Sequence, residues 1–245
     1  PDVVYGSVTG FGQVGPYAER PATDAVFQAF TGLMSRNRGA DGEPRRIGYA
    51  VPDYTTGLMA YQSVSTALYA KAMGQGGRHL DISLARSMLF YQQHGLIQEA
   101  AEPGYSLTPV ESSPVPPTGT YVCADGPVNI AVVREKFFQA LCRVVGVEQT
   151  AYDERFNSLP KRRENEDELR ATLAEAIAPW KRNELCDALA AADVPHAPVN
   201  DYGTVARDRH VAESGMVAWQ PDPMLGDLPI VNLPGTEPLN PADPR

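Results

Sequence analysis

Little in this chain of 245 residues is concentrated enough to announce a membrane, a metal or a nucleic acid. No run of about eighteen apolar residues occurs, so no membrane-crossing helix is expected. The opening PDVVYGSVTG lacks the basic start and apolar core of a secretory signal. Cysteine is scarce: Cys123, Cys142 and Cys186 stand far apart with no CxxC pair, the pattern of reduced structural thiols in the cytoplasm. The four histidines (His79, His94, His196, His210) lack the close spacing of zinc motifs, and no metal site is expected. A basic excess is missing too. The net charge of −9 argues against wrapping nucleic acid, although a local cluster could still hold a small anion. What is present, 43% hydrophobic and 21% charged residues, suffices for a packed core in one large or two modest domains.

Along the chain, VVY at Val3 to Tyr5 reads as a strand running into the glycine-rich GSVTGFGQVGP. A strand at the first residues needs a partner, and none is evident nearby in sequence. The expectation is therefore of a chain that begins partway through a domain. Asp24 to Met34 has Phe27, Phe30, Leu33 and Met34 at helical spacing, with Thr23-Asp24 as the capping pair. Arg36 to Arg46 reads as a loop. Tyr54 to Met73 reads as a helix whose small residues (Gly57, Ala60, Ser63, Val64, Ala67, Ala70) predict close approach by another backbone, hence burial. GQGG at Gly74 to Gly77 stops it, HLDISL alternates like a strand, and Ala85 to Ala101 is helical again. EPGYSLTPVESSPVPPTG then has the composition of an extended linker. Beyond it, TYVCADGPVNIAVV reads as a hairpin around Asp-Gly. Helices are predicted over Glu135 to Val145, Glu164 to Trp180 and Asn183 to Ala192. The second has Leu169, Leu173, Ala176, Ile177 and Trp180 on one face. The last segment, from Met216, is punctuated by prolines with short strand-like pieces and ends in PLNPADPR without a closing element. No internal repeat is visible.

Three features could carry chemistry. Gly10, Gly12 and Gly15 follow a strand but are spaced GxGxxGP, with no acidic residue ending a second strand some twenty residues on. A tight turn at the carboxyl end of a strand is the simpler reading, and that is also where α/β proteins place ligands. Arg36, Arg38, Arg45 and Arg46, with Arg20 nearby, form either a phosphate- or carboxylate-binding cluster or a solvated loop. Asp53, in IGYAVPDYTTGLM, lies just ahead of the long helical pattern. It is either an N-cap or a nucleophile kept ionised by the helix dipole and backbone N–H groups. Local sequence does not separate the two.

The stretches SVTGFGQVGPYAERPATDAVFQAFTGLM and RRIGYAVPDYTTGLMAYQSVSTALYAKAMGQGGRHLDISLARSM strongly resemble the family III CoA-transferases, the group that contains formyl-CoA and carnitine CoA-transferases. DERFNSLPKRRENEDELRATLAEAI, ELCDALAAADVPHAPVND and VARDRHVAESGMV look like that family's small domain and return segment. The resemblance implies an α/β fold: part of a Rossmann-like large domain with long helices, plus a small α+β domain. The catalytic part of the large domain would take residues 1–101, a linker 102–118, the small domain 119–200, and a segment returning to the large domain 201–245. It places the family's nucleophilic aspartate, in xDxxxG, on Asp53, and the acidic residue of its xYE/DxxxQA segment on Asp24 as an orienting group. Arg20 falls where the family often has a basic contact to CoA, and Gly10, Gly12, Gln13 and Arg46 are the other expected CoA contacts. Coenzyme A and acyl-CoA enter as substrates beside a small carboxylic acid, with no permanently bound cofactor, in a cytoplasmic homodimer of interlocked rings. Oxyanion stabilisation is expected from N–H groups at the start of the Asp53 helix.

Departures from the family pattern set the alternatives. The α-methylacyl-CoA racemases of the same fold carry a histidine before the acidic residue, where this chain has Thr23, so a second base for proton transfer is lacking. Formyl-CoA transferases carry a run of glycines where this chain reads ESSPVPPTGTYVCADG, which argues against formyl or oxalyl specificity. The family's N-terminal nucleotide-binding portion and C-terminal tail have no counterpart in the sequence. A non-catalytic, truncated homologue acting in dimerisation is the competing class.

Overall fold

In the computed structural model, residues 2–39, 41–105 and 115–236 are described. Residues 106–114 of the expected linker and 237–245 of the final segment lie outside them. The chain divides into two compact units, Pro1–Ser112 and Ser113–Arg245.

The first unit is built on one crossover. Strand β1 (Val4–Thr9) pairs in parallel with β2 (Arg78–Ser83), Val4 opposite Arg78 and Thr9 opposite Ser83. The missing partner of the first strand is thus HLDISL, reached through a long crossover as parallel pairing demands. Helices α1 (Asp24–Phe30), α2 (Leu33–Arg36) and α3 (Val51–Ala70) lie between the strands in sequence, and α4 (Leu84–Tyr91) and α5 (Gln93–Ala101) follow. Two expected helices are split. Gly32, at φ +86°, separates α1 from α2, because a left-handed residue ends a helix at little cost only when it is glycine. Gln92 separates α4 from α5, its side chain donating to the Thr31 carbonyl and hydroxyl. Thr23 is the N-cap residue of α1, but its hydroxyl makes no capping bond.

Helix α3 begins three residues earlier than expected, at Val51. Pro52 occupies its first turn, where a missing N–H costs nothing. Close approach is made at Val64, which lies against Gly6 of β1, whereas Gly57, the first of the small residues, faces open space. The expected burial of the whole helix is corrected, however. Pro52, Thr56 and Ala67 are buried, while Tyr54, Leu58, Tyr61, Leu68 and Tyr69 are exposed. A two-stranded sheet with α1 and α4 covers only one side of a 20-residue helix. A π-type turn, Lys71–Gln75, closes α3, and Gly74 and Gly76 take positive φ.

The second unit has a closed core. Strands β3 (Gly119–Cys123), β4 (Gly126–Ile130) and β5 (His196–Pro198) form an antiparallel sheet in that order. The predicted hairpin is present, turning at Ala124-Asp125. A common core joins the sheet to α6 (Glu135–Val144), α8 (Glu166–Ile177) and α9 (Arg182–Ala191), and α7 (Leu159–Glu164) lies against α8. The predicted helix over Glu164 to Trp180 is divided at Asn165. Phe138, Leu141, Leu169, Leu173, Ile177, Leu185 and Leu189 are fully buried, on the faces their 3.6-residue spacing predicts. Two short helices, α10 (Tyr202–Val205) and α11 (Arg209–Glu213), and the hairpin β6 (Val217–Asp222)–β7 (Gly226–Val231) complete the unit. Among the described residues no helix is long and apolar enough to cross a membrane, and no cluster of three metal-ligating side chains exists.

Candidate active site

In a parallel crossover the connecting helix runs back against the strands, so the start of α3 lies toward the carboxyl ends of β1 and β2. The glycine loop leaves β1 at that end. It is fixed by three bonds: the Gly10 carbonyl accepts from Ala85 N–H, Gly12 N–H donates to Thr9 Oγ1 at 3.1 Å, and Gln13 N–H donates to Asp81 Oδ2 at 3.4 Å. Gly12 needs its φ of +94°, and a methyl at Gly10 would overlap Ala22 Cβ and press on the Phe27 ring. The spacing thus serves a tight turn, in line with the simpler reading. Asp81, on β2, carries no signal in the sequence; its Oδ1 is buried without a partner.

Asp53 is the third residue of α3, not its cap; Ala50 is the N-cap residue, with no side-chain bond. The Asp53 side chain is exposed and opens on a depression of about 330 Å³ lined by Asp53, Tyr54, Gly57 and Leu58. Its amide donates to Asp24 Oδ2 at 3.4 Å, which joins the two expected carboxylates through backbone and side chain. The first-turn amides are otherwise spent. Val51 N–H donates to the Tyr49 carbonyl, Tyr54 N–H to the Ala50 carbonyl, and Pro52 has none. The expected oxyanion donors at the helix start are therefore not free, a correction forced by the proline and by the turn at Tyr49. The Tyr49 and Tyr54 rings stack beside Asp53 at 5.1 Å and 12°.

Gln28, which sequence reasoning does not single out, is the centre of this arrangement. It is fully buried. Its Nε2 lies 2.7 Å from Asp24 Oδ1, 3.0 Å from the Tyr49 carbonyl and 3.2 Å from the Ile47 carbonyl, and its Oε1 accepts from Ile47 N–H at 2.8 Å. The available signal is the glutamine of the xYE/DxxxQA segment, which falls on Gln28 once the acidic residue is placed on Asp24.

The arginines do not converge. Arg36 donates to the Tyr105 carbonyl and stacks on that ring, Arg38 donates to the Ser35 and Gly42 carbonyls, and Arg45 pairs with Asp41. These three hold their own surroundings together. Arg20 lies 3.7 Å over the Tyr17 ring, within an aromatic group of Phe11, Tyr17, Phe27 and Phe30. Arg46 is exposed, one residue before the Ile47 segment that Gln28 pins. The structure thus joins Asp53 to Asp24, and places Gly10 against Ala22 and the Phe27 ring. It leaves Arg20, Gln13 and Arg46 at the exposed surface.

Comparison with known proteins matches residues 1–244 to CoA-transferase family III. An acetyl-CoA:oxalate CoA-transferase of Acetobacter aceti is 30% identical over 232 residues, 94% of this chain and 60% of that protein. A succinate–glutarate CoA-transferase of Agrobacterium fabrum is 29% identical, covering 88% of this chain and 54% of its own length. The crystal structure of a CaiB/BaiF family protein from Brucella suis superposes with a TM-score of 0.83 at 31% identity, covering 97% of this chain and 62% of that one. The chain thus spans little more than half the length of these relatives, and it belongs to CoA-transferase family III.

Proposed function

We propose that the complete protein is a CoA-transferase that moves CoA from an acyl-CoA to a small carboxylic acid, with Asp53 as nucleophile. The Asp53 carboxylate attacks the donor thioester carbonyl. A C–O bond forms, the C–S bond breaks, and an aspartyl-acyl anhydride and CoA thiolate result. The thiolate attacks the aspartyl carbonyl, giving an aspartyl-CoA thioester and releasing the donor acid. The acceptor carboxylate then attacks that thioester, and the returning thiolate takes the acceptor's acyl group and restores Asp53. No proton changes hands, so the chemistry asks for an exposed carboxylate and no partner base. The observation that carries the reading is the placement of Asp53: exposed, in the first turn of α3 where the dipole favours negative charge, at an open depression, with its amide held by Asp24.

In this proposal CoA enters as substrate, with no resident cofactor, along Gly10, Gly12, Gln13, Arg20 and Arg46. The relatives named for oxalate, glutarate and succinate support a short dicarboxylic acid as the acceptor or donor acid. The exposed apolar face of α3 supports a homodimer of interlocked subunits, and the three free thiols suit the cytoplasm. The test is mass spectrometry of the complete protein incubated with pairs of acyl-CoA and carboxylate. Expected are a CoA-sized adduct on the peptide containing Asp53, cleaved by hydroxylamine, and loss of exchange by at least about 1,000-fold in Asp53→Asn. Full exchange in that variant would refute the reading. Failure to bind CoA in calorimetry would favour a non-catalytic dimerisation partner.

A further inference from the structure

We propose that Gln28 is a positioning residue of the transfer reaction, acting through Asp24 on the nucleophile; this rests on the Asp53 reading above. The site makes opposed demands on one buried side chain. Ile47 N–H needs an acceptor, while Asp24 Oδ1 and the carbonyls of Ile47 and Tyr49 need donors. Only an uncharged amide meets both demands without burying a charge. Glutamate at this position would accept from Ile47 but face the Asp24 carboxylate at 2.7 Å, and leucine would remove the bonds to Ile47 N–H, Asp24 Oδ1 and the Ile47 carbonyl, leaving the Tyr49 carbonyl its bond from Val51 N–H.

The bonds do more than fill a core. Ile47 and Tyr49 lie on the segment that runs into α3 at Val51, so Gln28 fixes the approach of the helix that carries Asp53. Its bond to Oδ1 fixes the rotation of the Asp24 carboxyl, and the other oxygen, Oδ2, receives the Asp53 amide at 3.4 Å. One buried side chain therefore sets the nucleophile's backbone by two routes, through the 47–49 segment and through Asp24. None of its atoms touches the reacting groups. Misplacement by about 1 Å, even from a change remote from the chemistry, costs roughly 100-fold, which sets the expected scale.

The test uses the complete protein and the pH dependence of transfer. In Gln28→Glu two carboxyls compete for one site, so one of them holds a proton until the pH is raised well above the ordinary carboxylate range. While that proton is present, an O–H donates to the other carboxyl and the geometry is kept. Once it is lost, repulsion turns Asp24. The expected result is a kcat near that of the unsubstituted protein at pH about 5, falling by about 100-fold by pH about 9, with KM for acyl-CoA little changed. The double variant Asp24→Asn with Gln28→Glu exchanges donor and acceptor: the new amide at position 24 donates to the new carboxylate at position 28, while the amide oxygen receives the Asp53 N–H. It should exceed Gln28→Glu in kcat at high pH and lose most of the pH dependence, while falling short of the unsubstituted protein because the new carboxylate faces the Ile47 and Tyr49 carbonyls. If Gln28→Glu does not fold, this exchanged pair carries the test against Asp24→Asn alone, which it should exceed in kcat. Identical pH profiles in Gln28→Glu and the unsubstituted protein would overturn the inference, as would a change in melting temperature or KM with no change in kcat. Asp53→Asn is run in parallel: activity in that variant refutes the nucleophile itself, whereas an inactive Asp53→Asn beside an unaffected Gln28→Glu refutes the role of Gln28 alone.

Discussion

The two units of this chain spend their apolar residues differently. In the second, Phe138, Leu141, Leu169, Leu173, Ile177, Leu185 and Leu189 close on a three-stranded sheet, and each is fully buried. In the first, among the described residues, Phe27, Pro52, Ala67, Ile82, Ala85 and Met88 are buried apolar residues, while the 20-residue α3 leaves Tyr54, Leu58, Tyr61, Leu68 and Tyr69 exposed. The polar chemistry runs the other way. The second unit's buried polar side chain, Arg162, is paired with Glu135 and stacked on Phe138, as a scaffold would use it. The first unit's buried amide, Gln28, organises two carboxylates around an open depression. The second unit closes a large apolar core, whereas the first leaves one face of its longest helix exposed beside the candidate site.

That contrast is broken first by core truncation. Phe138→Ala should cost the second unit about 3–5 kcal/mol, read by urea denaturation, because a buried ring leaves a cavity. Within the first unit, Gly10→Ala should cost about 1–3 kcal/mol, since the added methyl meets Ala22 and Phe27 with no room to relax. It should also lower transfer, because it displaces the glycine loop. Leu58→Ala, on the exposed face of α3, should change chain stability by only about 0.5 kcal/mol. If a second copy covers that face, Leu58→Glu with Tyr61→Glu should instead shift the protein toward monomer in sedimentation. A large loss of stability with no change of oligomeric state would contradict the contrast.

The same contrast explains what is legible in the sequence. Helices α6, α8 and α9 are readable because each buries its stripe within its own unit, so local periodicity and final environment agree. Helix α3 reads as buried because its small residues are visible. What covers its far face, by contrast, is a property of packing beyond the local sequence. The partner of β1 is hidden for the same reason, as parallel pairing joins residues far apart in sequence. The role proposed for Asp53 is reached from the sequence only by resemblance. Its place as third residue is open to local reading from Pro52, which favours the first turn of a helix. Asp81 escapes because a lone polar residue in an apolar pattern does not reveal whom it bonds, and Gln28, though it falls on the glutamine of the xYE/DxxxQA segment, does not reveal its partners at positions 47 and 49.

Chemical accessibility sharpens the comparison further. Burial pushes the Cys142 thiol up to about 12, so at pH 8 it should resist a thiolate-directed reagent such as iodoacetamide until the second unit unfolds. Cys186 is also raised by burial, but it is partly exposed and should react first. Equal rates for the two in the native protein would mean that the core around Cys142 opens as readily as the partly exposed site of Cys186 is reached.

The smallest expected effect concerns surface charge in the second unit. Asp153 accepts from the Arg155 guanidinium and from its backbone N–H at 2.9 Å, which lowers its carboxyl from 3.8 to about 2. A depressed carboxylate contributes stability that is present above its unfolded value and lost as pH falls through its folded one. The window is therefore from about 4 down to about 2. Because the pair is exposed, the contribution is small and weakened by salt. Asp153→Asn should lower the melting temperature slightly at pH 6, and the difference should close as the pH approaches 2. A difference that persisted at pH 2 would assign the effect to the turn itself and not to charge, leaving the second unit's stability to its apolar core.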